Sequence, residues 1–114
     1  MHELAVTQAM LKIALDKAKE VNAKRITDIN LVIGDLSGFI DDSVQFYFDF
    51  FTKDTIAERA KLHFKRVPPT VCCRKCDAEF QPKTLPAICP SCQAVDAQIK
   101  AGQEFFIESM EVDE

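Results

Sequence analysis

The sequence predicts an α+β fold: a small three-stranded mixed sheet packed with two helices, plus an inserted four-cysteine domain. Three observations carry this. Residues 3–22 gather their apolar side chains into one stripe at helical spacing. Residues 26–33, 60–67 and 104–112 alternate, or nearly alternate, as strands do. Two Cys-x2-Cys pairs stand between the second and third of those strands.

On a helical wheel Leu4, Met10, Leu11, Ala14, Leu15, Ala18 and Val21 share the stripe, with Thr7 inside it, and Lys12, Asp16, Lys19 and Glu20 lie opposite. Val6 and Ile13 form a second, smaller apolar spot, which is either ordinary surface exposure or a partner contact. The first strand points Ile29, Leu31 and Ile33 to one face and Asp28 and Asn30 to the other. Gly34-Asp35-Leu36-Ser37-Gly38 reads as a loop, and Asp41, Asp42 and Ser43 offer N-caps for a second helix over 43–53. Phe46, Tyr47, Phe48, Phe50 and Phe51 cover about half of that helix, so it is expected to be buried on more than one side. In the second strand Leu62 and Phe64 face in, while Lys61, His63 and Lys65 face out, with His63 a solvated strand residue. The third strand puts Phe105 and Ile107 on one face and Phe106, Met110 and Val112 on the other. Such a change of phase calls for a bulge or for burial on both faces.

Composition narrows the function classes. The chain of 114 residues is 47% apolar and 28% charged, an ordinary globular balance. Its apolar runs fall well short of the about 20 residues that cross a bilayer, so no membrane insertion is expected. No basic segment followed by an apolar core opens the sequence at Met1, so no secretory signal is expected either. The expected location is cytoplasmic, where paired cysteines signal metal or redox chemistry before disulfides. A formal charge of −4 without a basic patch argues against nucleic acid as a partner.

Residues 69–101 carry too few large apolar side chains for a core of their own, mainly Val71, Phe80, Leu85, Ile88, Val95 and Ile99. Residues 1–68 and 102–114 then make the main α/β domain, and 69–101 a metal-held one. In Cys73-Arg-Lys-Cys76 and Cys89-Pro-Ser-Cys92 the two-residue gap lets both sulfurs of a pair reach one ion while the chain turns back. Pro90 presets the first corner of the second turn. Four thiolates in a tetrahedron are the closed coordination of structural Zn(II), which makes the insert zinc-ribbon-like. Rubredoxin-like iron uses the same ligands, whereas a redox dithiol would need a thioredoxin-like βαβ context that is absent. Cys72 stands beside Cys73 and is an alternative first ligand, though Cys73 gives the symmetrical spacing. A closed four-thiolate site leaves no open position for substrate, and no serine–histidine–acid set, phosphate loop or acid pair replaces it.

The opening Met1-His2-Glu3 is a second candidate. A free α-amine followed by histidine chelates metal: the Met1 amine, the His2 backbone nitrogen and imidazole, and the Glu3 backbone nitrogen can form a plane of four nitrogens. That geometry suits Ni(II) or Cu(II). Since His2 is not small, Met1 is expected to be retained.

Met1-His2-Glu3-Leu4, the loop Ile33-Gly34-Asp35-Leu36-Ser37 and the Cys73-x2-Cys76…Cys89-Pro-Ser-Cys92 insert together resemble the HypA family over essentially the whole chain. The resemblance implies a nickel metallochaperone of [NiFe]-hydrogenase maturation, not an enzyme. Nickel cargo would sit at Met1, His2 and Glu3, and structural zinc at Cys73, Cys76, Cys89 and Cys92. It further implies a HypB-type GTPase and the hydrogenase large subunit precursor as partners, with urease served in some organisms. The competing reading is a zinc-ribbon adaptor that binds protein or nucleic acid and has an inert N-terminus.

Overall fold

A computed structural model describes residues 3–83 and 86–114. Helix α1 (Glu3–Glu20) leads into strand β1 (Arg25–Gly34), a short 3-10 turn (Asp35–Ser37), helix α2 (Asp41–Phe51) and strand β2 (Lys61–Val67). Strands β3 (Thr70–Cys73), β4 (Glu79–Phe80) and β5 (Ala97–Ala101) follow, and β6 (Phe105–Asp113) closes the chain. The main sheet has the order β2-β1-β6, with β1 parallel to β2 and antiparallel to β6. The mixed sheet with two helices is therefore as the sequence predicts. A second antiparallel sheet, β4-β3-β5, is built by the cysteine-bearing stretch.

One face of the main sheet forms the core. Ile26, Ile29, Leu31 and Ile33 of β1 and Leu62 of β2 pack under Met10, Leu11, Ala14 and Ala18 of α1 and Val44 and Phe48 of α2. Ala57 and Ala60, in the turns after α2, are also buried, which no periodic pattern announces.

The helix ends correct the sequence reading. Helix α1 stops at Glu20, not at residue 22, because Asn22 takes a left-handed φ of 55°. The Asn22 N–H then bonds the Lys19 carbonyl and the Ala23 N–H the Ala18 carbonyl, a Schellman closure. Val21 falls beyond the last turn and Leu4 in the first, so both are exposed despite their place in the stripe. Helix α2 starts at Asp41, with Ile40 at the N-cap and no side-chain cap of its own. The three expected caps fall inside the first turn instead, and Arg66 holds the Asp41 carboxylate at 2.9 Å. The Ile40 N–H is met instead by Glu3 Oε2 from α1, at 2.8 Å.

The aromatic face of α2 is a second correction. Phe48 is fully buried, but Phe46 and Phe50 are 68% and 61% exposed. One thin sheet and one helix offer α2 a single packing surface, and the Val44–Phe48 side takes it. The outer rings pair edge-on with their neighbours, Phe46 with Tyr47 and Phe50 with Phe51, both with centroids 5.5 Å apart.

In β6 the pairing passes from Leu31↔Ile107 to Asn30↔Ser109, which leaves Glu108 as an extra residue. That bulge carries Met110 and Val112 onto the core face beside Phe105 and Ile107, rather than onto the face of Phe106. Of the two explanations for the change of phase, the bulge is the one adopted.

The two sheets meet at a close glycine contact. A Cβ on Gly34 would fall inside the carbonyl group of Gly102, and one on Gly102 would lie 2.9 Å from the Pro69 Cα. The Leu36 N–H donates to the Gly102 carbonyl at 2.6 Å, and the Gly34 N–H to the Glu104 carbonyl at 2.8 Å.

Candidate metal centre

The small sheet has little to hold it by packing. Val71 is buried, but Ile88, Val95 and Ile99 are 62%, 60% and 42% exposed, and Leu85 lies outside the described residues. What organises it is a pair of matching turns. The Cys73 N–H donates to the Ala78 carbonyl, and the Asp77 N–H returns to the Cys73 carbonyl, both at 2.9 Å. Sixteen positions on, the Cys89 N–H donates to Ala94 and the Gln93 N–H to the Cys89 carbonyl, at 2.9 and 2.8 Å. Asp77 and Gln93 reverse the chain with φ values of 61° and 62°, and Pro90 stands in the second turn.

Each turn aims its sulfurs at the other. The Sγ atoms of Cys73, Cys76, Cys89 and Cys92 all lie within 4.8 Å of one another, with Cys73–Cys92 and Cys76–Cys89 at 3.5 Å. A tetrahedron with Zn–S bonds of about 2.3 Å has edges of about 3.8 Å, so the donor set suits a closed thiophilic centre. The first cysteine of each pair is buried and the second exposed. Cys72 points its Sγ away from the cluster, toward the Cys73 carbonyl at 3.8 Å, as strand alternation requires.

The backbone prepares the sulfurs for charge. The Cys76 and Lys75 N–H groups hold the Cys73 thiol below its ordinary range, against burial. The Cys92 N–H, with Ser91 adding to it, brings Cys89 down to about 6. For the outer cysteines the balance reverses. The Ala78 N–H lowers Cys76, but the Cys89 sulfur and desolvation push it up to about 12. Cys92 receives the Ala94 N–H, yet the Cys73 sulfur leaves it raised. Without a cation, the inner sulfur of each pair is thus the more acidic and the outer one the less. A divalent ion removes the conflict and lets all four bind as thiolates.

Of the N-terminal candidates, Met1 and His2 lie outside the described residues. Glu3 opens α1, and its carboxylate tethers α1 to α2 through the Ile40 N–H. The loop it grips is fixed in turn by Arg66, which bonds Asp35 Oδ1 and Asp41 Oδ1 at 2.9 Å and the Phe39 carbonyl at 3.2 Å. Sequence reading missed Arg66, because nothing in a strand pattern distinguishes a basic residue that bridges three loop acceptors. His63 is exposed, as expected for the polar face. Its Nε2 lies 2.6 Å from Asp28 Oδ2, a contact that, ahead of the Thr27 hydroxyl, lowers the Asp28 carboxyl below its usual range.

Comparison with known proteins agrees with this architecture. The family model described as "Hydrogenase/urease nickel incorporation, metallochaperone, hypA" matches residues 1–112. The hydrogenase maturation factor HypA of Dehalococcoides mccartyi is 46% identical over 114 residues, spanning 100% of this chain and 96% of that protein. The HypA of Caldanaerobacter subterraneus is 40% identical (99% and 100% covered), and that of Aquifex aeolicus 34% (99% and 98%). The solution structure of the Ni metallochaperone HypA from Helicobacter pylori shares the fold with a TM-score of 0.70 at 23% identity, covering 99% and 98% of the two chains. A second HypA solution structure gives 0.75 at 24%, covering 98% and 96%. The chain belongs to the HypA family of hydrogenase/urease nickel-incorporation metallochaperones, maturation factors that handle metal and are not enzymes.

Proposed function

We propose that this protein binds Ni(II) at Met1, His2 and Glu3 and delivers it to the precursor of a [NiFe]-hydrogenase large subunit, with a HypB-type GTPase as its partner in delivery. The observation that carries the reading is the family match over residues 1–112, joined to the Met1-His2-Glu3 donors with which the sequence opens. Nickel is cargo: the Met1 amine, the His2 imidazole and backbone nitrogen, and the Glu3 backbone nitrogen supply planar donors suited to it. The Glu3 side chain has a separate task, tethering the first turn of α1 to α2 and so fixing where those donors start.

Cys73, Cys76, Cys89 and Cys92 hold Zn(II), which when bound cross-links the two turns and stabilises the small sheet in place of a core. On this reading residues 69–101 are a zinc-binding domain inserted in a nickel-binding domain of 1–68 and 102–114. The reduced thiols it requires belong to the cytoplasm. Among the described residues no helix is long and apolar enough to cross a membrane. Val6 and Ile13, the latter 53% exposed on α1, are proposed to meet the partners.

Ni(II) titrations test the placement, using protein with its native N-terminus, the His2→Ala variant and protein with an N-terminal extension. Tight binding is expected only in the first, and equal affinity in all three would refute the site. Metal analysis tests the other centre: about one zinc per chain is expected, and iron in its place would overturn the assignment. Val6→Asp and Ile13→Asp should weaken partner binding.

A further inference from the structure

Strand β6 is an edge of the main sheet, with β1 on one side and, among the described residues, no strand on the other. The Glu111 carbonyl accepts the Thr27 hydroxyl and the Asp113 carbonyl the Lys24 N–H, so these residues turn their backbones toward β1. Residues between them in an extended strand turn the opposite way. Met110 and Val112 therefore direct N–H and C=O groups at the open edge. Beside that edge runs a groove of about 510 Å³, lined by Ile107, Met110 and Val112 of β6, by Ile13 of α1 and by Val21 in the turn just after it. Proteins guard such edges with lysine, proline or short strands. This edge is nine residues long and has neither residue; its pairing with β1 is irregular at Glu108 and again where Thr27 of β1 is left over opposite Glu111 and Val112.

Charge selects the occupant. From Phe105 to Glu114 the chain carries Glu108, Glu111, Asp113 and Glu114 and no basic residue. Lys65 pairs Glu108 and Arg25 pairs Asp113, whereas Glu111 and Glu114 have no ion pair among the described residues. The groove-side pair Lys17–Glu20 is neutral in sum. A second copy of this chain on the same edge would set acid against acid, which is destabilising across paired strands.

We propose that the β6 edge docks an extended segment of a partner protein in which apolar residues alternate with lysine or arginine, added as a fourth strand. Its backbone pairs with Met110 and Val112. Its apolar side chains enter the groove against Ile13 and Val21, and its basic side chains lie on the opposite face beside Glu111, which shares that face with Asp28. The proposal rests on the partner contact at Ile13 but not on where nickel binds.

Amide hydrogen exchange of the full chain tests it, with synthetic peptides that alternate valine with lysine or valine with glutamate as probes. The lysine peptide should slow exchange at Met110 and Val112 by about tenfold or more, increasingly so at low salt, and the glutamate peptide should not. Val112→Pro removes an N–H that the sheet does not use, so it should abolish binding while Ile29 and Leu31 stay protected. Val6→Asp leaves the edge intact and should not affect peptide binding, which separates failure of this proposal from failure of the α1 contact. Absent protection with the lysine peptide would overturn the proposal, as would equal protection by both. Protection of Met110 and Val112 that rises with protein concentration alone would make the occupant a second copy and overturn it too. Should Val112→Pro fail to fold, the wild-type comparison of the two peptides still decides.

Discussion

Glu3 is the residue at which fold and proposed cargo site overlap, and a substitution can separate the two roles. Its carboxylate accepts the Ile40 N–H, the amide of the residue at the α2 N-cap, a donor satisfied from another helix. Loss of this exposed hydrogen bond costs about 1 kcal/mol, and α2 has no side-chain cap to compensate for it. For a chain of 114 residues that lowers the melting temperature by about 3–5 °C. Glu3→Gln keeps an acceptor and should lose only about a few tenths of a kcal/mol. The proposed chelate uses the backbone nitrogen of Glu3, which every substitution but proline retains. Nickel affinity of Glu3→Ala should thus fall by less than about threefold, whereas His2→Ala should lose about tenfold or more with an unchanged melt. The assay is paired: thermal melting by circular dichroism and Ni(II) calorimetry on the same zinc-loaded preparations. A Glu3→Ala variant that loses nickel completely and melts like wild type would refute the reasoning, because its carboxylate would then be a ligand and not a tether.

The packing and the junction give further tests. Phe48→Ala should cost about 3–5 kcal/mol in urea unfolding, while Phe46→Ala and Phe50→Ala should stay within about 0.5 kcal/mol of wild type; similar losses at all three would restore the picture of a helix buried on more than one side. Gly34→Ala forces β1 and Gly102 apart and strains two hydrogen bonds, for an expected loss of about 2–3 kcal/mol with faster exchange at the Leu36 amide. Gly38, at φ +81° in open space, should lose only about 1 kcal/mol as alanine. A chelator, or acid that reprotonates the thiolates, should release the metal and unprotect amides of β3 and β5 while those of β1 persist. Uniform loss of protection would show that the small sheet is not held separately.

How legible these features were in the sequence depended on the range of the force involved. Spacing alone locates the cysteine turns, because two sulfurs on one short turn is a local constraint. The alternation of β1 was equally plain, since one buried face imposes it residue by residue. Burial of α2 was not: five aromatics signal a core only if enough neighbouring surface exists, and the width of the sheet is a property of the whole chain. The same holds for its cap. Asp41, Asp42 and Ser43 are all good caps, but the helix begins at Asp41, Arg66 engages that residue, and the amide of Ile40 before it is met by a residue 37 positions away. Asp77 and Gln93 adopt left-handed backbone where a glycine or asparagine would have announced the turn.

The two proposed metal sites answer opposite requirements with donors the fold treats in opposite ways. A resident metal must not leave, and the cysteine site is closed: two buried sulfurs, N–H groups aimed at each pair, and distances already close to those of a thiolate tetrahedron. A cargo metal must leave, and the donors proposed for it at Met1, His2 and Glu3 are nitrogens rather than thiolates. Zinc and nickel are neighbours in intrinsic affinity, so donor type and geometry must keep them apart. Soft sulfurs in a tetrahedron hold zinc, while planar nitrogens take nickel and release it as protons or a better-placed acceptor compete. On this reading, exchanging Cys92 for histidine should still retain zinc at a Cys3His centre, whereas supplying a thiol at position 2 should slow nickel release and with it delivery, even if binding tightens.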